Sequence, residues 1–135
     1  MLLERVVAWA RAKSDVRGVA LVGSWARGAP GMASDVDLIL LTAHPEWYTA
    51  ADDWIEEVVG EAASVVRTQR WGPELVERRL RLESGLEVEF GFASPTWAST
   101  DPVDPGTARV VRDGYEVLFD ADDRLQRLAD AVRVP

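Results

Sequence analysis

The stretch "DVDLILLT" (35–42) constrains the fold more than any other in the chain. Beyond its first residues it shows no apolar–polar alternation, so a strand built from it has no wet face. It therefore reads as a central strand buried on both sides. Its polar head, Asp35-Val36-Asp37, sets two carboxylates side by side, because residues i and i+2 of a strand point the same way.

The flanking segments supply partners for that strand. Leu2, Leu3, Val6, Val7 and Ala10 recur at helical spacing and predict a helix over 2–13 with one buried face. "VRGVALVGS" (16–24) reads as a short buried strand stopped by Gly23, and "SWARGA" as the start of a short helix capped by Ser24. "HPEWYTAADDWIEEVVG" (44–60) has Pro45 near its start and Gly60 at its end, which predicts one helix. Residues 62–71, 74–84 and 86–93 read as strands, the last two joined by a Ser84-Gly85 hairpin turn. The Pro-rich 94–106 reads as a surface loop, 108–120 as two short strands around Asp113-Gly114, and 121–132 as a closing helix capped by Asp120. The expected fold class is α+β (mixed α/β): a mixed or mostly antiparallel sheet, helices mainly on one side, in a single domain over 1–135.

Composition narrows the chemistry. With no cysteine and one histidine, His44, the chain has neither a Cys-based nor a His-cluster metal site, so any metal sits on oxygen ligands and is Mg2+ or Mn2+. No stretch reads as a signal peptide or membrane span, which predicts a soluble cytoplasmic protein without a membrane partner. A net charge of −8 argues against nonspecific nucleic acid binding, since polyanions are held mainly by Lys and Arg. The basic residues are fourteen Arg and one Lys, a bias that suits planar recognition of phosphate or carboxylate but equally reflects genome composition.

Three elements carry possible chemistry, and each alone has a plainer reading. Gly23 and Ser24 form a turn that can present backbone N–H groups to a phosphate, with Arg27 in reach; it is equally a tight turn with a serine cap. Asp35 and Asp37 repel each other unless a cation or a proton intervenes; they are equally an acidic cap on the strand. In "GLEVEFGF", Glu87 and Glu89 share one face of an otherwise apolar strand. They either complete a carboxylate cage or pair with Arg79 or Arg81 across the hairpin. Trp25 adjoins the turn as a minor candidate for base stacking, while His44 reads as a helix-entry residue and Arg67 and Arg70 either face a triphosphate from a neighbouring strand or form surface ion pairs.

Taken together, Gly-Ser, ten residues, Asp-x-Asp heading an apolar strand, and a later acidic strand resemble the nucleotidyltransferases of the DNA polymerase β superfamily. The closest likeness is to the minimal nucleotidyltransferases related to aminoglycoside nucleotidyltransferases, carried by Gly23, Ser24, Arg27, Gly28, Ser34, Asp35, Asp37, Leu38 and Glu89. That resemblance implies a metal-dependent enzyme moving a nucleoside monophosphate, AMP from ATP in the first instance, to a hydroxyl acceptor with release of pyrophosphate. It implies nucleotide binding at Gly23, Ser24, Arg27 and Ser34. It also implies metal binding and catalysis at Asp35, Asp37 and Glu89, with Glu87 the alternative third carboxylate. The acceptor is not legible; the resemblance implies that a homodimer or a HEPN-type partner protein is involved in some members. The alternative is a non-catalytic, antitoxin-like or regulatory member that binds nucleotide or a partner. An unrelated Asp-x-Asp phosphatase or glycosyltransferase fits less well: the first wants a small turn after the pair, the second a longer chain.

Overall fold

The computed structural model describes residues 2–28 and 35–133. Its centre is β2 (Val36–Thr42), buried along nearly its whole length, as its unbroken apolar run requires. β1 (Val16–Val22) pairs antiparallel on one side of it, and β5 (Glu87–Ala93) pairs parallel on the other. The sheet is completed by β3 (Ala63–Arg70), β4 (Leu75–Leu82) and β6 (Tyr115–Asp120), in the order β3-β4-β5-β2-β1-β6.

Alternation along the central strands builds two cores. Leu38, Leu40, Phe90 and Phe92 face α1 (Leu2–Ala12) and α3 (Ile55–Val59), packing on Val6, Trp9 and Val58. Ala20, Val22, Ile39 and Leu41 face the opposite way, under Trp97, Leu125 and Leu128. Those come from a 3-10 turn (Pro95–Ala98) and from α5 (Arg124–Arg133), with α4 (Pro105–Asp113) beside them. The mixed six-stranded sheet is the expected one, but its helices divide between both faces rather than lying mainly on one. The physical reason lies in β2: a strand apolar on both sides needs cover on both.

Two local expectations are corrected. The helix over 44–60 is broken into α2 (Glu46–Thr49) and α3. At the break, the carbonyls of Tyr48 and Ala51 accept hydrogen bonds from the buried Arg78 guanidinium and from the Trp54 indole, so side chains take the place of backbone donors. Residues 108–113 are helical, not a strand: Asp104 caps α4 by accepting from the Thr107 N–H, with Pro105 in its first turn. Asp120 does cap the last helix region, accepting from the Leu125 and Gln126 N–H groups. No helix among the described residues is long and apolar enough to cross a membrane.

Candidate active site

α4, α5 and the 3-10 turn cover the β6-β1-β2 side of their face of the sheet, and polar side chains of β2, β5 and β4 emerge on the rest of it. Register brings them together. Val22, the last residue of β1, pairs with Asp37, which sets the turn after β1 directly beside that carboxylate. On the other side Asp37 pairs with Glu89 of parallel β5, and Glu89 with Arg79 of β4. Adjacent strands lie about 4.8 Å apart, so these side chains are neighbours by construction.

The turn itself spans 23–28. Its N–H groups of Ala26 and Arg27 donate to the Gly23 carbonyl, and that of Gly28 to the Trp25 carbonyl. The short helix expected here is a single turn, closed by Gly28 at φ +71°. Gly23 has φ +76°, and a Cβ on it would stand 2.7 Å from Asp37 Oδ2. Only glycine allows the turn and the carboxylate to approach so closely. The turn is propped from below by β6's entry: the Gly23 N–H donates to the Gly114 carbonyl, and a Cβ on Gly114 would meet the Gly23 carbonyl at 2.5 Å.

The carboxylates differ sharply in environment. Asp37 is pushed up to about 7, first by burial and then by the charge of Glu89, with which it also shares a hydrogen bond. Its Oδ1 is buried and has no partner. Glu87 lies the other way: Arg81 and Arg79 hold it below the ordinary glutamate range. The Arg79 guanidinium pairs with three carboxylates at once, Asp35, Glu89 and Glu87, the last through Nε at 2.6 Å. Arg81 also binds Glu87, at 2.8 Å. The plainer reading of the acidic strand, glutamates paired across the hairpin, is thus present alongside the juxtaposition with Asp37.

Glu77 of β4, absent from the sequence reading, belongs to the same face. It is raised by burial and by Glu89, contacts Arg67, and accepts a hydrogen bond from the Trp71 side chain. Glu77 also lines a cleft of about 690 Å³ between the β3–β4 hairpin and the start of α4, with Trp71, Glu74, Trp97, Asp104 and Thr107. Glu77 lies outside the motif, and its place on β4 alternating with core residues is the signal available for it, whereas Arg79 is an expected partner across the hairpin.

Of the other residues singled out, Arg27 is exposed and donates to the Asp113 carbonyl at the end of α4. Ser24 and Trp25 lie in the turn, and Ser34 lies outside the described residues. His44 stacks on Trp47 at the entry to α2. Arg67 contacts Glu77 and Glu89, while Arg70 donates to the carbonyls of Gly72 and Pro73.

The donor set suits a hard divalent cation: oxygen ligands only, an orphaned buried oxygen on Asp37, and mutual repulsion to relieve. Among the described residues, however, no three acids stand as a preformed ligand group. The guanidinium of Arg79 binds Asp35 and Glu89 instead.

The chain belongs to the nucleotidyltransferase domain family, whose model matches residues 3–90. No curated protein matches it in sequence. Among solved structures, that described in "Functional implications from the Cid1 poly(U) polymerase crystal structure" is similar over 67% of this chain, with 18% identity and a TM-score of 0.45. The chain spans only 28% of that protein's length.

Proposed function

We propose that residues 1–135 form one nucleotidyltransferase domain that transfers a nucleoside monophosphate, AMP from ATP in the first instance, to a hydroxyl acceptor. The observation that supports it most is the contact of the Gly23 turn with Asp37, which is itself in register with Glu89. Asp35, Asp37 and Glu89 would hold Mg2+ or Mn2+, and Glu89 is preferred to Glu87 because Glu89 stands in register with Asp37 across the parallel β2–β5 pair. When bound, such an ion neutralises charge on the transferring phosphoryl group and the leaving pyrophosphate.

The remaining work falls to the chain. The turn at 23–28 positions the triphosphate, so that the hydroxyl oxygen attacks the α-phosphorus in line with the departing pyrophosphate. A bond forms from that oxygen to the α-phosphorus as the α–β bridging bond breaks, and the hydroxyl proton passes to Glu89. The cleft beside Glu77 is the proposed seat of the acceptor: it adjoins the carboxylates and its lining holds two tryptophans but no Lys or Arg. That lining suits a neutral or cationic acceptor better than a polyphosphate.

A second reading, a non-catalytic member that binds nucleotide or a partner, draws support from Arg79, whose ion pairs already engage Asp35 and Glu89. Incubation with each labelled nucleoside triphosphate, Mg2+ and candidate acceptors separates the two. The enzyme releases pyrophosphate and labels an acceptor, and Asp35→Asn or Asp37→Asn lowers this by at least about a thousandfold while the fold persists. Nucleotide binding without pyrophosphate release favours the second reading.

A further inference from the structure

We infer that Arg79 is a resident counter-cation of the carboxylate cluster, which a divalent ion must displace from Asp35 and Glu89 in order to bind. The inference rests on the metal-dependent reading above and assigns Arg79 a role in its metal-free state.

The charge pattern carries the argument. Five acids meet on this face, Asp35, Asp37, Glu77, Glu87 and Glu89, and three guanidiniums contact them, those of Arg67, Arg79 and Arg81. Fully ionised, the group is short by two positive charges, the charge of one divalent ion. Each nitrogen of Arg79 goes to a different carboxylate: Nη2 to Asp35, Nη1 to Glu89 and Nε to Glu87. A guanidinium spread over three partners is not locked in a bidentate fork with any of them. It supplies one charge to the outer carboxylates and leaves Asp37 Oδ1 without a partner.

Two of those three contacts fall on residues proposed as ligands, and the third does not. Glu87 lies outside the ligand set and is fixed from its other oxygen by Arg81, at 2.8 Å. The Nε bond to Glu87 can therefore persist as an anchor while Nη1 and Nη2 leave Glu89 and Asp35. This also explains why two glutamates stand on one strand: Glu89 faces Asp37, and Glu87 holds the arginine that guards them. While the guanidinium stays, it repels an incoming cation and occupies lone pairs the ion needs, so Arg79 and the metal compete.

Calorimetric titration of the full chain with Mn2+, without nucleotide, tests the competition. Arg79→Gln is expected to bind Mn2+ at least about tenfold more tightly than the parent chain, because a cation is removed from beside the ligands. Its metal-free form is expected to melt lower, and to gain more from added Mn2+ than the parent does. An unchanged or weakened affinity in Arg79→Gln overturns the inference. If that variant does not fold, Arg79→Lys decides. Its ammonium cannot span three carboxylates, so a several-fold gain supports the inference and parental affinity overturns it. Absence of Mn2+ binding in parent and variants alike overturns the metal reading together with this inference. Parental binding abolished by Asp37→Asn but untouched by Arg79→Gln leaves the metal reading standing and removes only the role of Arg79.

Discussion

Gly23 links the two halves of the motif through one missing atom. Its positive φ and its approach to Asp37 Oδ2 make any side chain there both strained and obstructive. Gly23→Ala is expected to cost about 1–2 kcal/mol of stability from backbone strain and contact. Its activity should fall further, by about a hundredfold, because the displaced group is Asp37 itself. Urea unfolding and pyrophosphate release measure the two separately; a variant with full activity would show that the contact is incidental. Asp37 makes a second prediction. Its carboxyl sits at about 7 in the fold, above its unfolded value, mainly through burial. The folded state therefore holds an extra proton between those values, and the stability it contributes is lost as pH rises through about 7. Glu77 shifts in the same direction, whereas Glu87 and Asp122 are lowered and change stability only on acidification below the ordinary carboxylate range. Melting in EDTA should show a decline from pH 5.5 to 8 that Asp37→Asn flattens. Equal slopes in both proteins would remove Asp37 as its source.

Elements were legible where periodicity and burial agree, and misread where a distant side chain decides the backbone. β1, β2 and β5 lie close to where their apolar runs place them, since a sheet centre rewards such runs regardless of context. The Gly-Ser and Asp-x-Asp spacing was legible too, because the register of β1 on β2 turns it into contact. On β4, Arg79 and Arg81 were legible as partners across the Ser84-Gly85 hairpin, but Glu77 was not, because no local pattern tells a half-buried acid at the site from one on a wet strand face. The helix over 44–60 failed for a tertiary reason. Arg78 stands at a core position of β4, only 5% exposed, and spends its guanidinium on Thr68, Tyr48, Ala51 and Asp52. α4 is different: its Asp-Pro start at 104–105 lay within the stretch read as a loop, and Val110 and Val111 read as strand. Arg78→Ala is expected to cost about 2–3 kcal/mol, the loss of charge-assisted hydrogen bonds eased by the Trp54 indole that remains on the same carbonyls. Because Arg78 lies on the sheet face opposite the carboxylates, kcat of the folded variant should stay within about twofold of the parent. Chemical denaturation combined with activity below the transition separates these effects; intact stability would deny that Arg78 holds the break open.

At the scale of the molecule, the proposed nucleotide and acceptor seats draw on different parts of the chain. The carboxylate face is assembled from the turn after β1, the head of β2, the middle of β4 and the start of β5. The cleft is bounded by the β3–β4 hairpin and the segment from Trp97 to Val110, and meets the carboxylates only at Glu77. The parallel β2–β5 pair makes this division possible. Its crossover runs through α2, α3, β3 and β4, so β4 returns beside β5 and carries Glu77 and Arg79 to the site from far along the chain. A non-hydrolysable nucleoside triphosphate with Mg2+ should therefore slow amide exchange in 22–28, 35–38 and 87–90 together. The hairpin tip at 71–75 and the cap of α4 at 104–107 should exchange as before, being reserved for the acceptor. Protection spreads only where ligand contact or tightened packing lowers local opening, so the two sets of amides report separate seats. Protection centred on 71–75 and 104–107 instead would put the nucleotide between Trp71 and Trp97 and would move the acceptor elsewhere. Protection at 22–28 without 87–90 would keep the phosphate turn but detach Glu89 from the reaction.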